Sequence, residues 1–287
     1  MKVLSLIACV GLAAASASGQ NINGSGLVVL HQTASGALSM TGNSAVHIPT
    51  RAAYVNSSSS TAVATQGSAY LDVPNLYIVG NASFSGNSEC SGTVHRAAAP
   101  YSDPLWGMAM PSSNGMTDKG SINKSGGAHT LQPGYYSGGM QIGSNAVITM
   151  SPGVYLLGAS SQLNACTIYG AGVTIVQLNG QFRMAAQCSI TLSPPSSGAT
   201  KDVSICQPSY NTNEMHLAGG SNVNISGAVY VPGSTLNLVG HSSVQGDGPQ
   251  MGDLVIALKV SLAGTGSIKI GSPEMAGIEI PKLPLAD

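Results

Sequence analysis

The stretch Met140-Gln141-Ile142-Gly143-Ser144-Asn145-Ala146-Val147-Ile148-Thr149-Met150 decides the fold, because its eleven-residue pattern returns at Phe182 to Leu192, Met215 to Ile225, Leu236 to Gly246 and Val260 to Ile270. Apolar residues hold the first, third and ninth places. The seventh is always small (Ala146, Cys188, Ser221, Ser242, Gly266), and a weaker copy from Ser160 to Gly170 puts Cys166 in that column. Alternation with a period of two predicts strands, and the Gly, Ser and Asn residues that break it predict tight corners. Between copies, Pro133-Gly134-Tyr135-Tyr136 and Pro152-Gly153-Val154-Tyr155 each open a new strand after a turn. Self-similarity of this kind marks stacked coils, in which one coil cannot bury its apolar face alone and its neighbours complete the core. The expected fold is therefore all-β, a β-solenoid (parallel β-helix) with few helices. A β-sandwich shares the turn spacing but does not require the same residue size at the same place in successive units.

Nearer the N-terminus, Ala37-Leu38-Ser39-Met40-Thr41-Gly42 superposes on Ala62-Val63-Ala64-Thr65-Gln66-Gly67 at a shift of 25 residues, and the same shift brings Pro49 onto Pro74 and Asn56 onto Asn81. The predicted organisation is a signal peptide over 1–20, N-terminal β-coils over 21–89, a long irregular excursion over 90–131, the main solenoid repeats over 132–272 and a tail over 273–287. The excursion holds the only tryptophan, Trp106, with Tyr101, Met108, Met110 and Met116. It is expected to cover apolar coil surface, with room for a binding cleft at its margin.

Met1-Lys2, the apolar run Val3 to Ala15 and the triplet Ala15-Ser16-Ala17 match a secretory signal with cleavage near Ala17. The mature chain is thus expected to be secreted, extracellular or at the cell surface, without a membrane span. Charged residues make up only 7% of the chain, which argues against helical bundles built on Glu, Lys and Leu. Ten Lys and Arg nearly balance eleven Asp and Glu, leaving no electrostatic footprint for nucleic acid.

Gly26-Leu27-Val28-Val29-Leu30, Ala34-Ser35-Gly36-Ala37-Leu38, Tyr54-Val55-Asn56-Ser57-Ser58-Ser59, Asp103-Pro104-Leu105, the paired Pro-Gly turns, Ser193-Pro194-Pro195-Ser196-Ser197-Gly198 and Gly227-Ala228-Val229-Tyr230-Val231-Pro232 follow one another in an order that resembles the extracellular, solenoid-type region of pilus-assembly TadG-like proteins. Relatives in that family carry a cysteine near each of the positions held here by Leu27 to Leu30 and Arg51 to Ala53, and often an N-terminal membrane anchor. The resemblance implies a cell-surface setting and no catalytic residues. The Pro152-Gly153-Val154-Tyr155 turn and the alternation after it are more loosely similar to ice-binding and adhesion solenoids.

The acids show no recurrence in a repeat column, which argues against the clustered carboxylates of solenoid lyases and hydrolases. Asp247 and Asp253 approach each other only beside glycines, where Asp commonly serves a turn. The histidines lack ligand spacing, and no Gly-x-Ser-x-Gly turn presents a nucleophile. No catalytic residue, metal or cofactor is expected. The outward columns are expected to form polar ladders: Thr167, Ser189 and Asn222 at the eighth place, and Thr149, Tyr169, Thr191, Asn224 and Gln245 at the tenth. Rungs about 4.8 Å apart suit a glycan or ice, or are simply the solvated side of a strand. After signal removal four cysteines remain. The repeat register stacks Cys166 on Cys188 as a candidate disulfide and leaves Cys90 with Cys206 by elimination, the alternative being free thiols that fill space. The functional expectation is a secreted or cell-surface structural or adhesive protein, non-catalytic, with a cell-surface or matrix partner and scope for self-assembly. The alternative is a glycan- or ice-binding solenoid that uses the ladder.

Overall fold

The computed structural model describes residues 25–185, 187–219, 223–240 and 250–271. The expected signal peptide and C-terminal tail, together with Asn222, Gln245, His241 and Asp247, lie outside the described residues. Within them the chain is all β, with no helix, and its parallel strands stack as a solenoid of about 10 turns. Parallel pairing between strands one turn apart is what a coil produces and a sandwich does not.

Each turn has three faces. In the middle of the solenoid the first is built by Met140–Gly143, Ser161–Leu163, Phe182–Met184 and Met215–Gly219. The second is built by Val147–Met150, Thr167–Gly170 and Ser189–Leu192, and the third by Gly153–Leu157, Val173–Gln177 and Val203–Cys206. Because side chains alternate across a strand, every second residue points inward. Ile142, Leu163, Met184 and Leu217 do so on the first face, Ile148, Ile168 and Ile190 on the second, Tyr155, Ile175 and Ile205 on the third, and all are buried in one continuous core. The small seventh place falls at a corner, where Ala146, Cys166 and Cys188 are buried one above another. Corners also require left-handed backbone. Gly67 has φ +86°, and a Cβ there would lie 2.7 Å from the carbonyl oxygen of Gly42 in the neighbouring turn, so glycine falls on glycine at that step.

Order along the axis is not order along the chain. Leu254–Lys269 pairs on one side with Ala228–Gly240 and on the other with both Ser25–Val29 and Leu38–His47. The N-terminal coils therefore stack on the last C-terminal coil, with Leu27 on Val255 and Leu38 on Val260 continuing two apolar columns. They end at Thr93–His95, and the chain resumes at the opposite end with Ile122–Ser125 and Ala128–Leu131. The irregular excursion is thus 96–121 rather than 90–131, because these short flanking strands already belong to coils. The 25-residue shift holds for Leu38 on Val63 and His47 on Asp72. It shortens on the third face, where Val55 pairs with Ile78, so Asn56 does not stack on Asn81.

To return from one end to the other, the excursion lies along the outer side of the third face. That side carries an apolar column in which Leu156, Val176, Cys206, Tyr230, Ile256, Val28 and Tyr54 succeed one another from turn to turn. Tyr101 and Leu105 are buried against it, with Met108 and Met110 packed at its edge, forming a second hydrophobic cluster outside the solenoid. The column faces outward yet is apolar because it is covered.

Candidate functional site

The excursion is pinned at named points. Asn56, buried at the end of Ala52–Val55, donates from Nδ2 to the Tyr101 carbonyl (2.7 Å) and accepts the Tyr101 N–H at Oδ1 (2.9 Å). The Tyr101 ring stacks on Tyr54 at 4.0 Å between centroids, Tyr54 stacks on Tyr77 at 5.0 Å, and Tyr77 on His95 at 4.5 Å. Three turns further along, the Tyr230 hydroxyl donates to Asp103 Oδ2 (2.8 Å), while Asp103 Oδ1 accepts the Leu105 N–H (2.9 Å). Burial pushes the Asp103 carboxyl above its ordinary value against the pull of these two donors, and burial beside Asp103 pushes the Tyr230 hydroxyl up as well. Met110 reaches Cys206, whose thiol burial pushes up to about 12.

Where this segment crosses the corner between the third and first faces it leaves an open cleft of about 980 Å³. One wall is the excursion from Pro100 to Met110. The other is made by Gln32 and Thr33, Ser58, and Ser209 and Tyr210, which follow third-face strands, and by Pro232 within Ala228–Gly240. Two aromatic side chains stand out of it into solvent, Trp106 at 76% exposure and Tyr210 at 66%. Asp103 is the only charged residue among the described residues of the lining. The cleft margin expected from the loop was legible. Tyr210 was missed because it lies outside the alternating strands, and its only sequence signal is an aromatic beside Pro208 in a turn.

The polar ladder is in register where described. Thr149 pairs with Tyr169, Tyr169 with Thr191 and Thr191 with Asn224, while Thr167 pairs with Ser189. The tenth column then continues through Gln250 in place of the expected Gln245, and through Lys269 and His47 to Asp72. The chain between Gly240 and Gln250 is longer than the eleven-residue pattern allows, which displaces the register by five positions. The face is not a flat ladder of hydroxyls: Tyr169 stands 49% exposed between two threonines, and His47 turns its Nδ1 to Asp72 at 3.0 Å.

The four cysteines of the described residues are free thiols. Cys166 and Cys188 are stacked as the register requires, with Sγ atoms 3.1 Å apart. The hydrogen bond between them, backed by backbone donors, pulls the Cys188 thiol below its ordinary value and holds the proton on Cys166. Cys90 and Cys206 are not brought together: Cys90 packs against the inner core, while Cys206 points outward under the excursion. Elimination failed because it ignored which side of the sheet each sulfur occupies.

Other sequence candidates serve local structure. Asp253 is buried and accepts the Gly227 N–H, a turn role. His31 accepts the N–H groups of Thr33 and Ala34, His95 bonds Asn75, and His129 meets the Gly126 carbonyl. His216 lies 3.5 Å from Glu214. Among the described residues no three His, Cys, Asp or Glu are grouped to hold a metal, and no helix is long and apolar enough to cross a membrane. Compared with protein-family models, curated proteins and solved structures, the chain matches none.

Proposed function

We propose that this chain is an exported, non-catalytic solenoid that acts at the cell surface as a structural or adhesive element, and that it grips its partner at the cleft beside the excursion. The observation that carries the reading is Trp106, an indole 76% exposed on a segment that Asn56, Tyr230 and Cys206 otherwise hold against the coil. A large aromatic presented on a pinned segment beside a second one, Tyr210, has the composition of an interface hot spot. The signal-like N-terminus and the resemblance to TadG-like extracellular regions support the surface setting.

A second reading places the contact on the ladder of the second face, because Thr149, Tyr169, Thr191 and Asn224 do follow one another from turn to turn. Tyr169 interrupts the flatness that a crystalline surface such as ice demands, so the cleft is the stronger candidate. The test is retention of the purified mature protein on washed cells and extracellular material of the source organism. Wild type and Tyr169→Ala are expected to bind, and the Trp106→Ala/Tyr210→Ala variant to lose most binding. Equal retention of all three overturns the cleft, and exported protein that still carries Met1 overturns the cleaved-signal reading.

A further inference from the structure

We infer that the cleft between the excursion and the solenoid corner takes a neutral carbohydrate chain, with sugar rings laid on the faces of Trp106 and Tyr210. The inference deepens the proposed function and rests on the cleft being the binding site.

Three observations select this ligand class. The first is the pairing of flat aromatics with polar neighbours. Trp106 and Tyr210 project from opposite walls at 76% and 66% exposure, and exposed Gln32, Thr33, Ser58, Ser102 and Ser209 line the space with them. A pyranose offers an apolar C–H face, which suits the electron-rich face of an aromatic ring, and a rim of hydroxyls that both donate and accept. The amide and hydroxyl side chains here also do both.

The second observation is charge. Among the described residues no Lys, Arg or His lines the cleft, and the one acid there, Asp103, has both carboxylate oxygens engaged by Tyr230 and Leu105. A uronic or sulfated chain would find no cation, and a basic peptide would find no free anion. The third is shape. The cleft is open and about 980 Å³, at the upper end of the roughly 300–1,000 Å³ range of small-molecule sites, so it has room for several sugar units of a chain that enters and leaves. The frame is also pre-organised: the Asn56 clamp and the Tyr101–Tyr54 stack fix the excursion wall, which lowers the ordering cost of binding.

Trp106 is the only tryptophan in the chain, so tryptophan emission, excited selectively over tyrosine, reports on this cleft. The mature protein is titrated with chitohexaose, cellohexaose, laminarihexaose and maltohexaose, with polygalacturonate and a proline-rich peptide as the contrasting ligands. At least one neutral oligosaccharide is expected to shift the Trp106 emission saturably and shield it from acrylamide. Tyr210→Ala, which keeps the reporter, should weaken that binding roughly tenfold, and Trp106→Ala should abolish it in equilibrium dialysis. Tyr169→Ala on the second face should bind as wild type. The inference is overturned if no neutral oligosaccharide moves the emission at millimolar concentration, or if Tyr210→Ala binds as tightly as wild type. A response to the peptide or the polyanion alone overturns the carbohydrate class while leaving the cleft as the binding site. Sugar binding that survives Trp106→Ala overturns both.

Discussion

Oxidation of the stacked thiols tests the coil register at atomic resolution. Cys166 and Cys188 are 22 residues apart in sequence with sulfurs at 3.1 Å, and an oxidant such as oxidised glutathione, which accepts the two electrons, should convert the contact to a disulfide. The Cys188 thiol, pulled below its ordinary value by its neighbour, is the nucleophile expected to act first. Closing a loop of this length removes about 11 cal/mol/K from the unfolded chain, or about 3 kcal/mol at 25 °C. For a chain of this size that corresponds to roughly 5–6 °C in melting temperature. Oxidised and reduced protein are compared by urea unfolding, with non-reducing peptide mapping to locate the bond. Cys188→Ala should show no redox-dependent midpoint. A bond from Cys166 to Cys90 or Cys206 would refute the register, and an oxidised protein no more stable than the reduced one would refute the loop-closure argument.

Further predictions concern the excursion and the corners. Asn56→Ala strips both backbone groups of Tyr101 of their partners and should cost about 2 kcal/mol or more, read as faster proteolytic nicking within 96–121. Asp103 has a carboxyl raised above its ordinary 3.8 by burial, so the folded state takes up its proton before the unfolded chain does. The resulting stability is fully present below the ordinary value and is lost as pH rises through the raised one. Hydrogen exchange at 101–108 should therefore slow relative to its intrinsic rate on acidification toward pH 4, and Asp103→Asn should flatten that dependence. Gly67→Ala forces a Cβ to 2.7 Å from the Gly42 carbonyl, whereas Gly115, at a similar positive φ, has open space around it. The first substitution should lower the urea midpoint by the equivalent of about 2 kcal/mol or more, and the second by only about 1 kcal/mol.

The coil was legible in the sequence because stacking imposes one residue size per column. Ile142, Met184, Leu217, Leu238 and Leu262 share an inward place, and Ala146, Cys166 and Cys188 a tight corner, so each repeat constrains the next. Stacking order was not legible, because apolar columns are interchangeable: Val255 accepts Leu27 as readily as it accepts Val229. The excursion is shorter than the sequence pattern suggests because Ile122-Asn123-Lys124-Ser125 and Ala128-His129-Thr130-Leu131 are terminal coil strands, whose outer edges need fewer apolar residues to alternate clearly. Gln250 took the place expected for Gln245 because a repeat template has no means of registering an insertion. In the cleft, Trp106 was visible as a lone aromatic in a Gly, Pro and Met setting. Asn56, Tyr230 and Tyr210 reach the same cleft from separate turns, and such convergence is set by the path of the excursion across the coil.

The cleft beside the excursion, and not the outward ladder, is the proposed partner surface. Hydrogen exchange of the mature protein, free and bound to extracellular material of its source, separates the two surfaces. Protection is expected at 30–33, 100–110 and 208–210, with 147–149, 167–169 and 189–191 unchanged; protection confined to the latter three segments would place the partner on the ladder instead.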